Sequence, residues 1–102
     1  MYKVDVSIRA EQDLDRIVSY IAVKLAAPIA AADFIDAVYD CYSHLEINPY
    51  LYEQCRDLKL QNEGYRRAVI KNFVLLYKID EKTKAVVIHR FFYGRQDYVS
   101  LI

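Results

Sequence analysis

The sequence predicts an α+β fold: an N-terminal strand, an antiparallel helical hairpin and a three-stranded antiparallel meander, with room for a short C-terminal helix, all in one domain spanning residues 1–102. Three observations carry that expectation. Residues 2–8, "YKVDVSI", alternate apolar and polar side chains, the period of a half-buried strand. From Ala10 the apolar residues recur three and four apart, the period of an amphipathic helix. After Gly64 the chain returns to β-branched and aromatic runs cut by two polar segments, "KN" and "DEKTK", which read as hairpin turns.

In the first strand Tyr2, Val4, Val6 and Ile8 share one side, with Lys3, Asp5 and Ser7 on the other. The first helix is expected over residues 10–25, where Leu14, Ile17, Val18, Ile21 and Leu25 line one face. Glu11, Asp13 and Asp15 occupy its first turns, where the helix dipole favours negative charge. Pro28 suits the first turn of a second helix, and Ala31, Phe34, Val38, Tyr42 and Leu45 continue at helical spacing until "INPY". The connection "KLAAP" is so short that the two helices must be antiparallel neighbours. Residues 49–62 show no period and read as a loop, and the meander strands fall at 65–71, 73–79 and 85–93. The four strands are expected to form one antiparallel sheet with the hairpin on one face.

The middle strand of the meander is apolar on both sides: Phe73, Leu75, Tyr77 and Ile79 on one, Val74 and Leu76 on the other. An antiparallel strand with one wet face alternates instead. Something must cover the second face: the C-terminal "DYVSLI" or the irregular loop, or else a partner seated in a groove.

Composition narrows the function. The chain has 102 residues, 55% hydrophobic and 27% charged, enough for one small core. Its longest uncharged run, Leu25 to Ala32, is far short of the ~20 residues of a membrane span, and the N-terminus does not resemble a signal peptide; a cytoplasmic protein is expected. Cys41 and Cys55 lack the spacing of a zinc site, so two ordinary thiols and no metal or other cofactor are expected. The net charge of zero conceals a division. Residues 1–55 hold four Lys and Arg against nine Asp and Glu, a net −5, and residues 56–102 hold ten against five, a net +5. The basic half is either a solvated face or a surface for an acidic or anionic partner.

No Gly-rich phosphate loop, GxSxG or HExxH occurs. What remains is a polar set on the sheet half: Arg66, Arg67, Lys71, His89, Arg90, Tyr93, Arg95 and Tyr98. Arginines beside Tyr or His can stabilise a phosphorane and shuttle protons when the 2′-hydroxyl of RNA is the nucleophile. The plainer alternatives are an Arg90–Asp97 ion pair at the sheet end, a half-exposed strand histidine at His89, and Asp97 as the cap of a terminal helix. Gly94 ends the last apolar run, "HRFFYGRQDY", where a residue without Cβ allows a sharp turn and frees the polar residues after it to face outward.

The order of these elements, with "AEQDLDRIVSYI" in the first helix, "GYRRAVIKNFVLLYKID" across two strands and "RFFYGRQD" at the end, resembles the RelE/ParE superfamily of bacterial type II toxins over nearly the whole chain. Relatives similar to RelE are ribosome-dependent endoribonucleases with an arginine after the aromatic that opens the third strand. Here that position is Val74. The glycine-x-arginine at Gly64 and Arg66, the aliphatic run after Phe73, and the closing pattern at Arg90, Tyr93, Gly94 and Asp97 resemble the ParE branch, with Tyr93 replacing a histidine. The resemblance implies a growth-arresting toxin of a plasmid-stabilisation module, acting on DNA gyrase through contacts at Arg90, Tyr93 and Arg95 and neutralised by a cognate antitoxin. Antitoxin binding is expected at Phe73, Leu75, Tyr77 and Ile79. Two alternatives remain: a ribosome-directed ribonuclease using Arg66, Arg67, Tyr93 and Arg95, and a non-toxic binding module of the same fold.

Overall fold

The computed structural model describes residues 1–102. The strands β1 (Lys3–Val6), β2 (Arg66–Ile70), β3 (Phe73–Asp80) and β4 (Ala85–Tyr93) form one sheet in the order β1-β4-β3-β2. The meander β2-β3-β4 is antiparallel as expected. β1, however, pairs with β4 in parallel, from Lys3↔Ala85 to Val6↔Ile88, so the sheet is mixed. Parallel neighbours need a long crossover; the helical hairpin and loop supply it, and the two turns of the meander bring β4 back in the direction of β1.

Ser7 ends β1 and caps α1 (Ile8–Ser19), its Oγ accepting from Ala10 N–H at 3.0 Å. The strand is therefore shorter than its alternation implied, and Ile8 lies exposed in the first helical turn. The expected single helix to residue 25 also breaks. Residues Tyr20–Lys24 form a π turn, with Leu25 N–H donating to Tyr20 C=O at 3.0 Å. Ala26 then leaves the helix at φ 48°, a left-handed conformation that costs a non-glycine residue about 1 kcal/mol. In continuous α geometry Lys24 would follow Ile17 and Ile21 onto the buried face; the wider turn moves it aside. The second helix, α2 (Pro28–Ile47), begins with its proline at the first turn, and Ala31, Phe34, Val38, Cys41 and Leu45 are buried along it.

The expected loop at 49–62 contains one regular piece, α3 (Leu58–Asn62). Asp57 caps it, accepting from Leu60 N–H at 3.0 Å. Gly64, at φ 90°, closes it: Gly64 N–H donates to Gln61 C=O and Tyr65 N–H to Leu60 C=O, the paired bonds of a glycine-terminated helix. Five residues are too few to show a period.

Two apolar clusters clamp the sheet. The larger joins α1 and α2 to Leu75, Tyr77, Val86, Ile88 and Phe91 on the inner face. The smaller, on the outer face, packs Cys55, Leu60, Tyr65, Val74, Leu76 and Phe92 under Tyr98 and Val99. The second face of β3 is thus covered by this chain's own loop and C-terminal segment. Of the residues expected to bind the antitoxin, Leu75 and Tyr77 are fully buried beneath the helices, with Tyr77 Oη donating to Pro49 C=O at 2.7 Å, and Phe73 and Ile79 are partly buried against the same core.

Candidate interaction groove

β1 accompanies β4 only as far as Ile88, yet β4 continues to Tyr93. His89 is a bulge, unpaired between Ile88↔Tyr77 and Arg90↔Leu76, and Ser7 Oγ donates to its carbonyl at 2.9 Å. Past the bulge the open side of β4 meets α1. There Asp13, 2% exposed, stands in for the missing strand: its Oδ2 accepts from Phe91 N–H at 3.0 Å and from Arg90 Nε at 2.7 Å, and its Oδ1 from Arg90 at 3.1 Å and Arg16 at 2.7 Å. Burial alone pushes this carboxyl up, but the bonds from Arg90 and Phe91 and the arginine charges outweigh it and hold the group below the usual carboxylate range.

Arg90 is therefore not a free cation at the strand end. Its fork closes on Asp13, not on Asp97, and its guanidinium lies 4.5 Å from the Phe92 ring centre. Its place in the fold is thus that of an anchor between β4 and α1. Asp97 does not cap the terminal 3-10 turn (Val99–Leu101) with its side chain either; its oxygens accept from Ser100 Oγ. Gly94 suits a close approach: a Cβ there would lie a tight 3.1 Å from the Asn72 carbonyl oxygen, to which its N–H donates at 2.8 Å.

Beyond this anchor a groove of about 950 Å³ runs between the α1–α2 hairpin and the end of β4. Ile17, Ile21, Leu25, Phe34, Phe73 and Phe91 make its apolar walls, while Arg9, Arg16 and Lys71 bring positive charge against the single acid Asp33. Tyr93 stands at its end, 43% exposed, edge-on to Phe73 with ring centres 5.8 Å apart. Arg95 just beyond is exposed and pairs with no carboxylate.

The four residues assigned to a ribonuclease do not converge. Arg66 donates to Tyr52 C=O at 2.7 Å and lies over the Tyr50 ring. Arg67 pairs with Glu53 at 3.3 Å, and its Nε is buried without a partner. In register they face Tyr77 and Leu76, whereas Tyr93 faces Phe73, about 10–13 Å further along the strand. Val74 is buried in the outer cluster. His89 is edge-on to Tyr65, and burial together with the nearby Lys78 pushes its imidazole down, so it is neutral near pH 7. Nowhere do three His, Cys, Asp or Glu side chains converge as metal ligands, and no helix is long and apolar enough to cross a membrane.

Residues 4–98 match the family model described as the ParE toxin of the type II toxin–antitoxin system parDE. The chain belongs to the ParE toxin family. Solved structures of toxin–antitoxin systems share its fold. A chain of the chromosomal ParDE toxin–antitoxin system from P. aeruginosa superposes with a TM-score of 0.70 at 18% identity, covering 91% of this chain and 96% of that one. A chain of the toxin–antitoxin complex RelBE2 from Mycobacterium tuberculosis superposes with a TM-score of 0.62 at 24% identity, covering 90% and 96%. A search of curated proteins finds no match.

Within this ParE-family chain, the groove was missed because its parts lie far apart in sequence. One signal was available. Asp13 falls between Ala10 and Ile17 on the buried stripe, and an acid on an apolar helical face calls for a buried partner. Arg9, Arg16 and Lys71 carried no comparable mark.

Proposed function

We propose that this ParE-family toxin arrests growth by poisoning DNA gyrase through surface contacts, without chemistry of its own, and that a cognate antitoxin neutralises it, the arrangement of a plasmid-stabilisation module. The observation that carries the gyrase reading is the dispersal of the groups a ribonuclease would need. Metal-free RNA cleavage requires a proton acceptor and phosphate-binding cations within hydrogen-bond reach of one phosphate. Here Arg66 and Arg67 are engaged by the loop below β2, and Tyr93 and Arg95 lie at the far end of the sheet. Tyr93 and Arg95 are instead both exposed, two residues apart at the end of β4, a cation and an aromatic ring suited to an acidic protein surface or a DNA backbone. Such a target places the protein in the cytoplasm.

The antitoxin fits the groove, whose apolar walls and basic border complement an apolar segment carrying acidic side chains. The test is to apply the purified protein to gyrase supercoiling and to ribosome-bound mRNA. Loss of supercoiling with intact mRNA is expected. Codon-positioned cleavage with supercoiling untouched would overturn the reading and make this a RelE-like ribonuclease; no effect on either, with no growth arrest on expression, would make it a non-toxic binding module.

A further inference from the structure

Three non-glycine residues have a left-handed backbone: Ala26, Lys71 and Lys84. That conformation is unfavourable for a residue with a Cβ, so each needs a reason. Ala26 leads the chain out of the π turn towards α2. Lys84, in the β3–β4 turn, pairs with Glu81 at 3.3 Å and lies over the Tyr2 ring. Lys71 has neither account. It opens the two-residue turn between β2 and β3 at φ 56°, a position that tight hairpins give to glycine or asparagine. Its side chain is exposed and pairs with no carboxylate.

The fold fastens this turn to the end of β4. Asn72 C=O accepts from Gly94 N–H at 2.8 Å, and Phe73, which follows the turn, stands opposite Tyr93 in register with the two rings edge-on. Lys71 is thereby held at the same edge of the sheet as Tyr93 and Arg95, so that two cations without an acidic partner accompany one half-exposed ring. The basic border continues onto α1 through Arg9 and Arg16. Protein interfaces are enriched in arginine and depleted in lysine, whereas DNA phosphates accept from both, from lysine as a point charge. A lysine held where glycine fits more easily, beside an unpaired arginine, thus matches a phosphodiester backbone better than an acidic protein surface.

We propose that Lys71, together with Arg95, contacts the phosphate backbone of the DNA segment that gyrase holds, which makes the β2–β3 turn part of the target surface. This rests on the gyrase reading above and adds to it a residue and the chemistry it meets.

The experiment measures, for the full chain, the affinity for gyrase alone and for gyrase loaded with a linear DNA duplex, by calorimetry, beside the thermal midpoint. Wild type, Lys71→Gly and Lys71→Arg are compared, since glycine removes the charge and the backbone strain together while arginine keeps the charge. For Lys71→Gly the expected result is a midpoint at or above wild type and unchanged affinity for gyrase alone. Its affinity for the loaded enzyme should fall about tenfold, with a salt dependence shallower by about one ion. Lys71→Arg should bind the loaded enzyme as wild type does. Should Lys71→Gly not fold, Lys71→Asn, which tolerates the same φ, replaces it. Unchanged affinity of Lys71→Gly for loaded gyrase would overturn the contact. An equal loss with and without DNA would overturn it in favour of an acidic protein surface, and a midpoint that falls with the affinity would return Lys71 to the fold. Each of these leaves the gyrase reading standing. A wild type that binds neither form of gyrase would overturn both.

Discussion

Two carboxylates anchor opposite ends of β4. At its start, Glu81 in the β3–β4 turn accepts from Tyr2 and Tyr50, each at 2.7 Å, and pairs with Lys84 at 3.3 Å. At its far end Asp13 accepts from Arg90, Arg16 and Phe91 N–H. Both are held below the usual carboxylate range, Glu81 by its tyrosine bonds and Asp13 by bonds that overcome burial. The difference is solvent. Glu81 is exposed, so water replaces any partner it loses; Asp13 is buried, so removing it leaves a largely buried guanidinium and a buried main-chain donor without their partner. Similar partner sets thus carry unequal weight, and only the buried one shapes the groove.

The largest expected effect follows directly. Asp13→Ala leaves Arg90 and Phe91 N–H unpaired and should cost about 3–5 kcal/mol, a large part of the stability of a domain this size, measured by urea unfolding. Arg90→Ala should cost less, about 2 kcal/mol, because Asp13 keeps Arg16 and the Phe91 N–H. Arg90→Lys should not restore wild-type stability, since an ammonium cannot make the two-pronged contact. If both arginine variants matched wild type, the buried anchor would be no stronger than the exposed one.

Acid sharpens the same comparison. The folded-state pKa of Asp13 is depressed, so its contribution is complete above the unfolded value of about 4 and is lost as pH falls through the folded one. Stability should therefore decline below about pH 4 in wild type and more gently in Asp13→Asn. Equal slopes in the two proteins would contradict this. The smallest effect is expected at the other end: Glu81→Gln should move the thermal midpoint by no more than about 2 °C, and less still in high salt.

How far the sequence disclosed this arrangement depends on the range of the signal. Local ones were legible: Pro28 marks the start of α2, and the β-branched and aromatic run between "KN" and "DEKTK" marks β3. Even the two-sided burial of β3 was visible, and the C-terminal segment and the loop were among its candidate covers, but not which of their residues, Leu60 and Tyr98, would pack there. The π turn was hidden because Leu25 continues the apolar spacing of Leu14 and Val18, while the geometry turns on Ala26 leaving the helix in a left-handed conformation. The parallel pairing of β1 was hidden because alternation reports burial and says nothing of a neighbour's direction. Asp13 read as a dipole-favoured residue of the first helical turns; its partners Arg90 and Phe91 lie 77 and 78 positions later, beyond any local pattern. Among the candidate residues, Tyr93 and Arg95 were legible as a charged strand end, but nothing in "HRFFYGRQDY" separates an arginine turned inward from one turned out.

That separation is the central claim, and Arg95→Ala tests it most directly. The gyrase inhibition proposed for this chain should be measured for the variant beside its thermal midpoint, at a temperature where the variant is fully folded. The account predicts a midpoint indistinguishable from wild type and about a tenfold rise in the concentration needed for half-inhibition. Unchanged inhibition, or a fall in midpoint that accounts for the loss, would contradict it and return the strand end to a purely structural role.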